Sequence, residues 1–326
     1  MLRHLYCIIL FLIISISAEE WPGISAPMKV DDLIFAKGKD ALGLKSGSSI
    51  SQDQLQKVLS GAANNNKDHL YSLGLLRLYG ITLARNEEQA IESFKKAADL
   101  GHLESITAYA VALLNGIGVQ SDFNEALVWL RKAVSLGDIN AIFYLGTMLL
   151  EGKGFDEPNY VAAASYLSQA ANAHMAPAEH LLAVMYEYGL GFDQNFDKAI
   201  EYYRKASDQG YLESMYHLGV IYAWGRGVDQ DFPRAYSLFD AAARENHAPS
   251  SYMMGVFRLQ GYMSSPPKPD YAQALNWFER ASSLGDHRIS EMAANAATEL
   301  SELLTEAEQK NNAVYEMYVD AGDRFD

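Results

Sequence analysis

Small and large apolar residues recur along the chain with a period of about 36 residues. At each step a large apolar residue precedes a Gly or Ala, and another Gly follows six residues later. The Gly or Ala positions are Gly74, Ala110, Gly146, Ala183, Gly219 and Gly255. A repeat of this length is the signature of stacked supersecondary units, each too small to bury its apolar face alone. The pattern therefore predicts six copies of one helical unit.

Each copy contains a helix, here called helix B, with both ends marked in the sequence. An Asn or Asp stands at its start in every copy, and such side chains accept hydrogen bonds from the free amides of a first helical turn. The six caps are Asn86, Asp122, Asn159, Asn195, Asp231 and Asp270. About fifteen residues later comes Gly in four copies, His174 in one and Asn246 in another. Gly and Asn tolerate the left-handed backbone that ends many helices, so we predict helices of about fourteen residues.

A second helix, here called helix A, precedes helix B in each copy. It is centred on the Gly or Ala position and ends in a glycine loop such as 225–227. Pro177 and Pro249 occupy one register at its start, where a missing N–H costs little. Helix A is apolar on two sides whereas helix B has one apolar face. We therefore expect helix A on the inner layer of a stack and helix B on the outer layer.

The motif Leu-Gly-x-x-Tyr-x-x-Gly-x-Gly-Val, continuing through Asp-Phe and Ala to Ala-Ala-x-x-Gly, resembles the Sel-1-like repeat, a relative of the tetratricopeptide repeat. The copy at 218–246 matches this motif almost throughout, and the resemblance covers roughly 65–285. The predicted fold class is all-α. It is an α-solenoid (superhelix) of about six Sel-1-like helix-turn-helix repeats with N- and C-terminal capping helices.

The segments outside the repeats complete the predicted organisation. Residues 1–18 carry Arg3 before an apolar run too short to span a bilayer and then small residues, which is typical of a secretory signal peptide. An uncleaved signal anchor is the alternative. Residues 19–64 form an N-terminal segment with a capping helix predicted over 52–63. Residues 286–326 form a C-terminal capping helix, predicted over 289–309, and an acidic tail.

Charge and cysteine content narrow the possible functions. The formal charge is −15, with 41 acidic and 26 basic side chains, and nucleic-acid binding needs a basic surface. The single cysteine, Cys7, lies in the predicted signal peptide, so we expect no disulfide, cysteine-zinc site or cysteine nucleophile in the mature chain. No metal, nucleophile or phosphate-binding motif is present. We expect no enzyme, no metal, no cofactor, no nucleic-acid partner and no membrane insertion of the mature chain.

The candidate site is a surface formed by helix A. Residues three before, one after and four after the Gly or Ala position share one helical face. The candidate protein-binding residues are Tyr71, Phe143, His180, Tyr216, Tyr252, Val184 and Val220. If helix A lines a groove, these residues form an aromatic and apolar contact surface. The alternative, left open by the sequence, is that the same positions are buried between neighbouring A helices.

The resemblance implies a protein–protein interaction scaffold, because relatives in the secretory pathway recruit misfolded proteins for degradation. We therefore expect an adaptor that binds other proteins or peptides, located in the endoplasmic-reticulum lumen or secreted, with a role in protein quality control. A secreted or periplasmic repeat protein that self-assembles in a structural or regulatory role is the alternative. The sequence does not fix the oligomeric state.

Overall fold

The computed structural model of the chain describes residues 50–262, 268–285 and 287–322. These residues fall into two compact units that divide between Tyr202 and Tyr203, here called the first and the second unit. The predicted signal peptide, most of the predicted N-terminal segment and the last four residues of the predicted acidic tail lie outside the described residues. Within the described ranges no helix is both long and apolar enough to cross a membrane.

The described residues form helices joined by short loops, with no strand among them. In the first unit the helices are α1 Gln52–Ala63, α2 Lys67–Tyr79, α3 Glu87–Asp99, α4 Leu103–Asn115, α5 Phe123–Ser135, α6 Ile139–Glu151, α7 Tyr160–Asn172 and α8 Ala176–Tyr188. Helix α9, Phe196–Asp208, crosses the division between the units. In the second unit they are α10 Leu212–Trp224, α11 Phe232–Arg244, α12 Ala248–Gln260, α13 Tyr271–Ser283 and α14 His287–Gly322. The all-α solenoid of six helical pairs is confirmed.

The predicted N-caps of helix B are confirmed. Asn86 Oδ1 accepts a hydrogen bond from Gln89 N at 2.9 Å, and Asp231 Oδ1 accepts one from Arg234 N at the same distance. Equivalent bonds form at the other four caps, Asp122, Asn159, Asn195 and Asp270. Each bond satisfies an amide that the first helical turn leaves unpaired, and these bonds fix where helix B begins.

The predicted helix ends are also confirmed. After each helix B the chain enters the left-handed region, at φ 58° for His174 and 63° for Asn246, and at Gly101, Gly137, Gly210 and Gly285. Each helix A ends in a left-handed Gly, such as Gly225 with φ 67°. In copy one Thr82 adopts φ 63° where copies two to five have the second glycine of the loop. The loop geometry is therefore kept in a copy that lacks that glycine.

The Gly positions of helix A explain how four of the six pairs pack. A Cβ on Gly74 would lie 2.4 Å from the Phe94 ring, and one on Gly219 would lie 2.7 Å from the Phe239 ring. The large residues in this register of helix B are all fully buried: Phe94, Leu130, Leu167, Tyr203, Phe239 and Phe278. In these four copies helix A therefore comes close to helix B because a glycine leaves room for a large side chain.

Capping helices flank the repeats as predicted, although the C-terminal one is longer than expected. The Ser51 side chain and the Gln54 side chain cap α1 reciprocally, with bonds of 3.2 and 2.9 Å to the backbone. Helix α14 buries Ile289, Ala293 and Leu300 on one face and packs against α13. Its helical backbone continues to Gly322, beyond the predicted end at Gln309.

Candidate functional site

Five of the seven residues predicted as surface contacts are buried. They are Tyr71, Phe143, His180, Val184 and Tyr252. The prediction of a groove lined by all seven is therefore wrong for these five, because a side chain without accessible surface cannot contact a partner. The alternative left open by the sequence describes them correctly, since they lie inside the packed layers of their own units.

Tyr71 shows why these side chains are buried. Its ring lies 5.7 Å from the Phe94 ring of α3 and 4.6 Å from the ring of His102, which caps α4. This register of helix A therefore points into the space between one helical pair and the next. Burial raises the pKa of the Tyr71 hydroxyl, which stays protonated at neutral pH. Tyr71 is a core aromatic residue.

The other two predicted residues lie on α10 of the second unit and are partly exposed. Tyr216 and Val220 are one turn apart, and Leu212 and Trp224 continue the same spacing of four in both directions. Residues four apart are neighbours on a helix surface. Trp224 is 40% exposed, and the other three are partly accessible. We call these four side chains the α10 stripe.

Packing on its inner side holds the stripe in place. The Tyr216 ring lies 5.9 Å from the Phe239 ring of α11 and 5.8 Å from the His247 ring at the start of α12. It also meets the neighbouring His217 ring edge to face at 5.6 Å. A ring held on three sides has lost most of its rotamer freedom before any partner arrives, so binding through it costs less entropy.

The stripe is nearly neutral in charge. His217 lies behind it, stacked on Tyr203 at 5.4 Å, and burial lowers its pKa to about 4, so its ring is uncharged at pH 7. Glu213 follows Leu212 on the next position of the helix, and burial raises the pKa of its carboxyl. Within the described ranges no group of three or more His, Cys, Asp or Glu side chains is placed to hold a metal ion. The arrangement therefore offers apolar and aromatic contact.

Trp224 was not among the sequence candidates, although a signal for it exists. The candidate positions lie three before, one after and four after the Gly or Ala position, whereas Trp224 stands five after it. Continuing the spacing of four from Tyr216 and Val220 would have reached Trp224. The other copies have Tyr79, Asn115, Glu151, Tyr188 and Gln260 in this register. Because these residue types differ, the repeat pattern alone does not single out the position.

The family model of the Sel1 repeat matches the chain six times. The matched segments are 70–102, 103–138, 139–174, 176–211, 212–247 and 248–286, which together make up more than half of the chain. They follow the six helical pairs described above. No curated protein matches in a sequence comparison.

Two solved structures support the same assignment. A Sel1 repeat protein from Oxalobacter formigenes is 26% identical, with a TM-score of 0.64, and the match covers 71% of this chain and 93% of that one. A protective antigen of uropathogenic Escherichia coli strains, displaying an SLR fold, is 25% identical with a TM-score of 0.62. That match covers 80% of this chain and 55% of the antigen, so the chain aligns with about half of the antigen's length.

Proposed function

Because the chain belongs to the Sel1 repeat family, whose members act as protein–protein interaction scaffolds, we propose that it binds another polypeptide through the α10 stripe. The observation that carries the proposal is the exposure of Trp224 on a packed helix, two turns along from the partly exposed Tyr216. Trp and Tyr dominate the energetics of protein interfaces, since each buries a large area at a small entropic cost.

The chemistry of the stripe indicates the kind of segment that it binds. An apolar or aromatic anchor would pack between Tyr216 and Trp224, where no ionised side chain of the stripe has to be desolvated. The whole chain carries a formal charge of −15, which attracts segments with Lys or Arg beside that anchor. The proposed partner is therefore a polypeptide segment with an apolar anchor flanked by basic residues.

The proposal also includes export and a role without catalysis. The signal-peptide pattern of residues 1–18 supports export, either to the endoplasmic-reticulum lumen, with a role in protein quality control, or out of the cell. The bacterial sources of the two similar structures favour the alternative, a secreted or periplasmic repeat protein. The role as a scaffold and not an enzyme is supported by the family, a repeat fold without catalytic activity.

A peptide library displayed on phage tests the proposal with many candidate segments at once. Peptides selected on the full chain should be rich in apolar anchors flanked by basic residues. Trp224→Ala and Tyr216→Ala should each weaken the affinity of a selected peptide at least tenfold. Leu100→Ala is the matched control, because Leu100 is also an exposed large apolar residue and lies in the first unit. Equal binding by Trp224→Ala and the wild type would reject the α10 stripe as the site.

A further inference from the structure

Helix α14 is much longer than the helix that it packs against. It spans 36 residues, whereas α13 spans 13. At a rise of 1.5 Å per residue the two helices are about 54 and 20 Å long. Helix α13 is therefore too short to cover more than the first part of α14. The last 22 residues, 301–322, make up about 33 Å of helix beyond Leu300.

The side chains of α14 change from buried to exposed along the helix. Ile289, Ala293, Ala296 and Leu300 are buried on the face that packs against α13. Among the side chains that the structure describes beyond Leu300, none is buried, and Leu303 is partly exposed. In proteins most of the stability of a helix comes from the packing of an apolar face and not from helix propensity. Residues 301–322 therefore need a further helix or surface to pack against.

The apolar spacing of the packed part continues through residues 301–322. From Leu300 onward, steps of three and four residues alternate, which is the seven-residue repeat of a coiled coil. Five of the six positions reached in this way are apolar. They are Leu303, Ala307, Lys310, Val314, Met317 and Ala321, here called the C-terminal seam. The pattern predicts that this part of α14 pairs with one other helix.

Charge indicates which helix this is. Glu306 directly precedes Ala307, and Asp320 directly precedes Ala321. In a coiled coil this is a position beside the seam, and charges there select the partner helix. Residues 301–322 contain five acidic residues and one lysine, a net charge of −4. Two copies of this segment repel one another, whereas a helix with Lys or Arg beside its own seam is attracted.

We propose that residues 301–322 form a two-stranded coiled coil with a basic amphipathic helix of another polypeptide. The partner helix has large apolar residues in its seam, because Ala307 and Ala321 leave room for them, and Lys or Arg on either side. Lys310 is the one polar residue of the C-terminal seam, and such a residue fixes the register of two paired helices at a cost in stability. This site is separate from the α10 stripe and gives the scaffold a second contact surface.

Two synthetic helical peptides test the proposal. The probe has Leu at both seam positions of each heptad and Lys beside them, and its control has Glu in place of every Lys. Fluorescence anisotropy of the labelled peptides, titrated with the full chain, measures both dissociation constants. The Lys peptide should bind at least tenfold more tightly than the Glu peptide, and added salt should weaken its binding. Trp224→Ala should bind the Lys peptide as tightly as the wild type, because the α10 stripe is a different site.

Leu303→Asp tests whether the C-terminal seam makes the contact. It should weaken binding of the Lys peptide at least tenfold, because it places a charge where the two helices pack. The matched control is Thr305→Asp, which adds the same charge at an exposed position outside the seam and should not weaken binding. Thermal unfolding monitored by circular dichroism will show whether each variant folds.

Glu306→Lys tests the flanking charge and leaves the seam intact, so it decides the matter even if Leu303→Asp does not fold. It should weaken binding of the Lys peptide at least threefold more than Glu302→Lys, which makes the same charge reversal at an exposed position away from the seam. Equal binding of the two peptides, loss of binding in Trp224→Ala, or equal losses within either matched pair of variants would each overturn the proposal.

Discussion

Copies one and five place the same three rings in the same register, yet one cluster is core and the other reaches the surface. In copy one, Tyr71 meets Phe94 at 5.7 Å and His102 at 4.6 Å and is 4% exposed. In copy five Tyr216 meets Phe239 at 5.9 Å and His247 at 5.8 Å and stays partly exposed. The repeat fixes which rings touch. The exposure of those rings depends on what else packs against each copy.

The next residue along the face shows the same difference. Leu75 follows the Gly of copy one and is buried, whereas Val220 follows the Gly of copy five and is partly exposed. A column of equivalent residues in a repeat protein can therefore be structural in one unit and available for binding in the other. Four experiments test this comparison, and they are ordered by expected effect.

The largest expected effect separates a buried candidate from an exposed one. Phe143→Ala should lower the free energy of unfolding by about 3–5 kcal/mol, because it opens a cavity in the packed first unit. Trp224→Ala should cost less than Phe143→Ala, because the Trp224 side chain is 40% exposed and keeps part of its surface in water in the folded state. Urea titrations monitored by circular dichroism measure both changes. Equal losses would contradict the distinction between the two regions.

Acid should destabilise copy five through a residue that copy one lacks. The pKa of His217 is lowered to about 4 from the usual 6.5, so its contribution to stability is present above pH 6.5 and is lost as the pH falls through 4. The loss amounts to roughly 3 kcal/mol at most. The equivalent residue of copy one is Ser72, which does not titrate in this range.

His217→Phe keeps a ring on Tyr203 and removes this proton. Its free energy of unfolding, measured in urea from pH 7.5 to pH 4, should fall less steeply than that of the wild type. Parallel pH profiles of the two proteins would show that the buried imidazole does not contribute to acid sensitivity.

Substitutions at the Gly of helix A should cost the same in both copies, because the close approach is the same in each. Gly74→Leu and Gly219→Leu should each destabilise by about 1–3 kcal/mol, since the new side chain overlaps Phe94 or Phe239. In the background Phe239→Ala, the penalty of Gly219→Leu should shrink. If that penalty is unchanged in the double variant, the assigned contact is wrong.

The smallest effect concerns the caps. Asn86→Ala in copy one and Asp231→Ala in copy five should each cost about 1 kcal/mol, because one amide of the first turn loses its acceptor. Asn86→Asp is the control and should retain most of the stability, since Asp is an equally good cap. Thermal unfolding of the four proteins measures the difference.

The fold could be predicted because its signals are local and recur six times. Caps such as Asn195, left-handed ends such as Asn246 and close contacts such as that of Gly219 each involve one helical pair, and the sequence repeats them. The length of α14 could not be predicted in the same way, because its apolar residues do not follow the 36-residue spacing of the repeats. In the repeats, a Gly, His or Asn at a fixed distance from the N-cap marks the end of helix B. Helix α14 lies outside the repeats, so no residue at a fixed repeat position predicts where it ends.

The candidate site could be predicted only in part. The offsets select Tyr216 and Val220, which share one helical face and are partly exposed, but they also select Phe143 and Tyr252, which are buried. The exposure of a side chain depends on every helix that packs over it. The sequence of a single repeat does not show which neighbouring helices cover its surface. The sequence does not single out Trp224 for the same reason. Its exposure distinguishes it, whereas the residue types at the equivalent position of the other copies differ.

Hydrogen exchange with and without a selected peptide tests the central claim most directly. The account predicts that the bound peptide slows exchange of the amides in α10, Leu212–Trp224, and leaves those in α2, Lys67–Tyr79, unchanged. Trp224→Ala should abolish this protection. Protection of α2 instead of α10, or protection of α10 that persists in Trp224→Ala, would contradict the account.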